Sequence, residues 1–117
     1  MTPLLKDGKP YTGFDYTGAM HYLMDFDANG RYNEDPTVTI DFDAMAIHLL
    51  AVIEEAPKQG LQVEKIIWKM QLRDELFATE NGKKLRAKGV YITTHLSPLI
   101  NALHDDHYHV DFSVNAR

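Results

Sequence analysis

The segment DFDAMAIHLLAVIEEAPKQGLQVEKIIW, residues 41–68, decides the fold class. Phe42, Met45, Ala46, Leu49, Val52 and Ile53 recur at the spacing of a helix with one apolar face. Asp41 or Asp43 can cap its start, and the helix is expected to run to about Pro57. Val63–Trp68 is then β-branched and aromatic, the composition of a buried strand. Elsewhere strands and helices mix without a regular βαβ alternation. The expectation is an α+β fold: a small, mainly antiparallel sheet flanked by helices.

Upstream, residues 1–19 read as an irregular lead broken by Gly8, Pro10, Gly13 and Gly18. MHYLMDF, residues 20–26, suits a strand, and ANGR at 28–31 is a turn signal. Residues 32–40 read as a loop with a short extended piece at Val38–Ile40. Downstream, a second helix is expected over Leu72–Thr79. Gly82 should interrupt before a short helical stretch to Lys88, which Gly89 ends. Val90–Thr93 is a strand candidate, residues 95–103 could hold a turn of helix after Ser97-Pro98, and Tyr108–Val114 is the last strand. There is no repeat, low-complexity tract or linker, so residues 1–117 are read as a single domain.

Composition narrows the function classes. Net charge is -5 with histidines neutral, which argues against a nucleic-acid partner, because phosphate binding needs a basic footprint. Lys83, Lys84, Arg86 and Lys88 form a local basic cluster that reads as a solvated helix face. No apolar run approaches the ~18 residues of a membrane span. There are no cysteines, which excludes disulfides, thiolate catalysis and Cys-ligated zinc. Any metal must be held by His, Asp, Glu or water. The start, MTPLLKDGKPYTGF, lacks a basic-then-apolar leader pattern. A protein working outside the cytoplasm would then be a trimmed form or be exported another way.

Three of the six histidines fall within HDDHYHVDF, residues 104–112, which makes this the place to look for chemistry. On a strand, His107, His109 and Asp111 share one face, with alternate Cα atoms ~6.8 Å apart. Tyr108, Val110 and Phe112 take the other face and can pack. Two imidazoles at that spacing can hold a metal or move a proton. The same pattern also suits a solvent-exposed, histidine-rich face with no partner. His21 and Asp27, with Asp25 between them, could complete a His2Asp set with His109, leaving a fourth position for water. Equally, Asp25 and Asp27 could end a solvated strand before the turn. His48 lies beside the helix stripe and reads as a boundary histidine, and His95 as a loop or capping residue. HExxH and GxSxG motifs are absent.

HDDHYHVDF resembles the C-terminal signature of the penicillin-insensitive murein endopeptidases, in which a His-Asp-x-His-aromatic-His-Val run ends the active site. That family is similar to the lysostaphin-like and D-Ala-D-Ala zinc peptidases. The match covers residues 104–110 position for position and extends more weakly over DPTVTIDFDAMAIHLLAVIEEAPKQGLQVEKIIW. The resemblance implies that His109 is a zinc ligand and that His107 is the catalytic base or transition-state stabiliser. It makes His104 a further active-site histidine. The family's remaining ligands lie in a His-x-x-Gly-x-x-x-Asp segment. Here the corresponding residues from His21 read His-Tyr-Leu-Met-Asp-Phe-Asp, one residue shorter and without the glycine. Asp27 is the first choice of aspartate and Asp25 the second. The activity implied is zinc-dependent hydrolysis of peptidoglycan cross-links, in the periplasm or cell envelope, with a peptide stem as substrate. The competing expectation is a non-catalytic or degenerate metal-binding or interaction domain on the same scaffold.

Overall fold

The structure is a computed structural model and describes residues 2–11, 21, 24–93, 97 and 108–114. The helix expected from the apolar spacing is α1, Phe42–Glu55. Asp41 is its cap: Oδ1 accepts the Ala44 amide at 3.0 Å, satisfying one of the donors that a helix start leaves open. Asp43 has another task. Its carboxylate accepts the backbone and side-chain N–H groups of Asn81, each at 3.0–3.1 Å. Met45, Ala46 and Leu49 form the buried stripe, and Phe42 and Ile53 pack at its margin.

Strands β1 (Leu4–Lys6), β2 (Lys9–Pro10), β3 (Arg31–Tyr32) and β4 (Asp35–Ile40) form an antiparallel sheet ordered β2-β1-β4-β3. Strands β5 (Leu61–Ile67), β6 (Tyr91–Ile92) and β7 (His109–Val114) form a second sheet ordered β6-β5-β7. β5 is antiparallel to β7 and parallel to β6. A parallel pair needs a crossover. Helices α2 (Arg73–Ala78) and α3 (Glu80–Ala87) supply it. The fold is α+β, and among the described residues it has two sheets rather than one and one βαβ unit. One core joins both sheets to α1 through Val38, Ile40, Leu49, Ile66, Trp68 and Leu76. Among the described residues, no helix is long and apolar enough to cross a membrane.

Several local expectations change. The N-terminal lead contains a hairpin. Lys6 pairs with Lys9, so Asp7-Gly8 is a two-residue turn, with φ of 52° and 76°. Asp-Gly in that left-handed geometry matches the twist of a hairpin, which outweighs the role of glycine as a breaker. The strand expected over 20–26 shrinks, within the described residues, to one bridge between Phe26 and Tyr32. Its bulky residues serve the core instead, with Met24 and Phe26 both buried. The extended piece at Val38–Ile40 begins earlier, at Asp35. The helix break falls at Thr79, not Gly82. Thr79 is extended (φ -74°, ψ 157°), and its Oγ1 accepts the Gly82 amide at 2.9 Å as the cap of α3. Gly82 lies inside α3, at a position where a Cβ would fall on the Leu76 carbonyl. The helical turn expected within 95–103 lies outside the described residues, apart from Ser97.

The β5–β7 ladder contains one irregularity that sets its faces. Val63 pairs with Phe112 and Lys65 with Asp111, so Glu64 is an extra residue on β5. This bulge lets Leu61 and Val63 share a side with Ile66 and Trp68, although the sequence breaks strict alternation. Ile66 and Trp68 are both fully buried. Each is worth about 1.5–3 kcal/mol relative to exposure. Deleting Glu64 makes Val63 and Lys65 neighbours opposite Phe112 and Asp111, so it should regularise the ladder, keep Ile66 and Trp68 buried and preserve cooperative urea unfolding. Gly82→Ala should destabilise by about 1–3 kcal/mol through overpacking, read as a lower urea midpoint with an unchanged slope.

Candidate functional site

Strand β7 displays the last histidine of the motif. Its ladder pairs His109 with Ile67, Val110 with Ile66 and Asp111 with Lys65. Side chains alternate along a strand, so Val110 turns to the core while His109 and Asp111 turn away. His109 is exposed. Asp111 Oδ2 lies 3.6 Å from Lys65 Nζ. That pair is solvated and stabilises little. The regular strand starts at His109, one residue after Tyr108, because the ladder with β5 begins there. His104 and His107 lie outside the described residues, as does His95.

Tyr108 packs against the core from the opposite face. Its hydroxyl and His48 Nδ1, on α1, share a hydrogen bond of 2.6 Å. Burial pushes the Tyr108 phenol above its ordinary pKa, so it keeps its proton at neutral pH. His48 is exposed on α1 and acts as a tie between helix and strand, which the boundary-histidine reading did not include. A cleft of about 360 Å³ lies beside this pair, lined by Thr2, Pro3, Ala44, His48 and Tyr108.

Thr2 connects the cleft to His21. His21 is 1% exposed. The Thr2 amide donates to its Nε2 at 3.1 Å, and Thr2 Oγ1 lies 3.2 Å from the same nitrogen. An amide donor on Nε2 places the ring proton on Nδ1. Asp27 organises a turn. Oδ1 accepts the amides of Asn29 and Arg31 at 2.8 and 2.9 Å, and Oδ2 accepts Arg31 Nε at 3.2 Å. Burial pushes the Asp27 carboxyl up. The amides of Arg31 and Asn29, together with the Arg31 guanidinium, outweigh that and hold it below the ordinary carboxylate value. Asp25 is exposed, and its carbonyl accepts the Asn33 amide at 3.0 Å.

Two imidazoles and a carboxylate are suitable zinc donors. Their placement here does not assemble a zinc site. Among the described residues no three His, Asp or Glu groups stand together as a metal cradle, and His21, Asp27 and His109 are all described. His21 Nε2 is held by Thr2, and both Asp27 oxygens are engaged in the turn. A larger depression of about 510 Å³ includes Arg31, Asp41, Asp43 and Glu75 in its lining. Asp41 there caps α1, Asp43 binds Asn81 and Arg31 pairs with Asp27. The smaller cleft is the better candidate because Thr2 links it to His21 and Tyr108 links it to the motif strand. Comparison with protein-family models, with curated proteins and with solved structures finds no match.

Asp27's turn role had a signal in the sequence, since aspartate ahead of Asn-Gly favours side-chain capping of the turn. The Thr2–His21 and His48–Tyr108 pairs had none, being 19 and 60 residues apart.

The carboxyl of Asp27 is depressed in the folded state, so the unfolded chain binds its proton first as pH falls. Its contribution is therefore complete above the unfolded value near 3.8 and is lost below it, through the folded value. Asp27→Asn should be less stable at pH 7 and show a shallower acid-unfolding limb below about pH 3.8, followed by circular dichroism. Tyr108→Phe should cost about 0.5–1.5 kcal/mol. Combined with His48→Ala, it should show a non-additive double-mutant cycle in urea unfolding, since both changes remove one bond.

Proposed function

We propose that the chain is a zinc-dependent peptidase that hydrolyses peptide cross-links of peptidoglycan in the cell envelope. One observation carries the reading. The run HDDHYHV leads into β7, where His109 stands exposed on one face while Tyr108 and Val110 pack from the other. In this reading His109 ligates zinc; His21 and Asp27, with Asp25 as the alternative carboxylate, are the further ligands the resemblance implies, and they would have to leave their present hydrogen bonds to converge on it. His107 and His104 are the catalytic histidines. The substrate is a peptide stem with a D-configured residue at the scissile bond.

A second reading has its own support. His21 Nε2 and the Asp27 carboxylate are both engaged within the protein. A non-catalytic or degenerate domain on the same scaffold would keep them so. Zinc content separates the two: the enzyme holds about one ion per chain.

His109→Ala should lose zinc and activity together, measured by metal analysis and by release of soluble peptides from purified peptidoglycan. His107→Ala should keep its zinc and lose about 10²–10⁴ in kcat, the scale of general acid–base help, with KM little changed. Equal zinc loss in both variants would make His107 a ligand. Full activity in either would overturn the assignment of these histidines, whereas a parent chain that releases no peptides would favour the non-catalytic reading.

A further inference from the structure

The basic cluster of α3 divides in the fold. Lys88 Nζ lies 4.0 Å from a Glu54 carboxylate oxygen on α1. Arg86 lies against α2 instead, with its Cζ 5.5 Å from the centroid of the Phe77 ring. Arg73, four residues before Phe77 and on the same helix face, sets a second guanidinium 5.6 Å from that centroid. Both distances are those of cation–π contact. Among the described residues neither guanidinium meets a carboxylate. Arg73 Nε is buried and has no acceptor, an unusual state for a donor in a folded protein. Lys83, exposed and three residues before Arg86, adds a third charge to the same flank of α3. Residues 73–88 carry five basic and three acidic side chains, so this is a locally positive segment of a chain whose net charge is -5.

We infer that Arg73 and Arg86, held around Phe77, form a binding site for an acidic peptide, each guanidinium taking one carboxylate. Resting over the ring restrains both guanidiniums, so less freedom is lost when a carboxylate docks through two parallel N–H···O bonds. Burial of Nε leaves Arg73 its terminal Nη groups for that contact. The ligand needs two carboxylates because two cations share one ring. In an extended peptide alternate side chains point the same way from Cα atoms ~6.8 Å apart, and glutamates at such positions can reach both cations. Asp74, Glu75 and Glu80 limit the positive excess of the segment to two charges, which two carboxylates match. None of these residues belongs to the histidine site, so the inference is independent of the peptidase reading.

The full-length chain, carrying ¹⁵N-labelled arginine and titrated with an acetylated and amidated Glu-Gly-Glu peptide, tests this. The Nε signals of Arg73 and Arg86 should shift together, and the matching Gln-Gly-Gln peptide should move neither. Arg86→Gln should weaken binding about three- to tenfold through the loss of charge-assisted bonds. Arg86→Lys keeps the charge but not the planar fork and should weaken it about as much. Lys84→Gln removes the same charge from the other flank of α3 and should bind within about twofold of the parent. Equal losses in Lys84→Gln and Arg86→Gln would reduce the effect to the general field of the helix and overturn the inference. Inorganic phosphate shifting both signals where the peptide shifts neither would overturn the choice of ligand. If nothing moves them, the two arginines only cover Phe77, and the site is refuted. Should a variant not fold, the titration of the parent chain decides alone.

Discussion

The burial of Ile66 and Trp68 is the constraint on which the rest of the structure depends. These residues place β5 in the common core with α1, and both of its neighbours follow from it. β6 can pair in parallel because α2 and α3 provide the crossover. β7 pairs antiparallel and in doing so receives its facing. Val110 lies opposite Ile66 and must share its side, which sends His109 outward. The chemistry of the motif strand is thus set by an apolar contact on a different strand. The packing of Phe42 edge-on against Trp68, with ring centroids 5.8 Å apart, extends that contact to the start of α1. Gly30 approaches from the first sheet so closely that a Cβ would strike the Phe42 ring. Both sheets are therefore fitted around one aromatic corner.

The elements readable from sequence were those whose apolar residues repeat. Met45, Ala46 and Leu49 announced α1, and the alternation from Tyr108 to Val114 announced β7. Where periodicity is interrupted, sequence reading lost accuracy for identifiable reasons. Val63–Trp68 reads as a strand from its β-branched and aromatic composition, which β5 bears out, but the bulge at Glu64 hides the alternation and with it the start at Leu61. The first hairpin is too short to show a pattern and is held by its Asp-Gly turn. Gly82 resembled a helix breaker because its role, allowing α3 to approach the Leu76 carbonyl, depends on a tertiary contact. Thr79 carried the boundary instead, through a capping bond that a threonine ahead of a polar run only weakly advertises.

The candidate site was legible on one side only. A histidine on an alternating strand can be assigned a face from spacing alone, and His109 has the face expected of it. His21 and Asp27 were chosen by residue type and order, and type does not say where a lone pair is spent. For His21 it is spent on a backbone amide brought by β1, and for Asp27 on a turn closed by Arg31. Such commitments arise from chain geometry at a distance or from local turn chemistry. Any ligand the two residues take must compete with partners already in place.

The second sheet ends less completely covered than it begins. Helix α1 stops at Glu55, but the packed face of β7 continues. Phe112 is 45% exposed and Val114 78% exposed. An uncovered apolar strand end is the kind of surface through which copies of a chain stack into aggregates. Here Glu55 and Gln59 border the apolar hollow beside Phe112, and Lys65 and Asp111 occupy the reverse face. With a net charge of -5, neighbouring copies also repel each other over distances of about 10 Å at 0.1 M salt. Colloidal behaviour should therefore be governed by ionic strength at this corner. The charges that border the strand act as its gatekeepers.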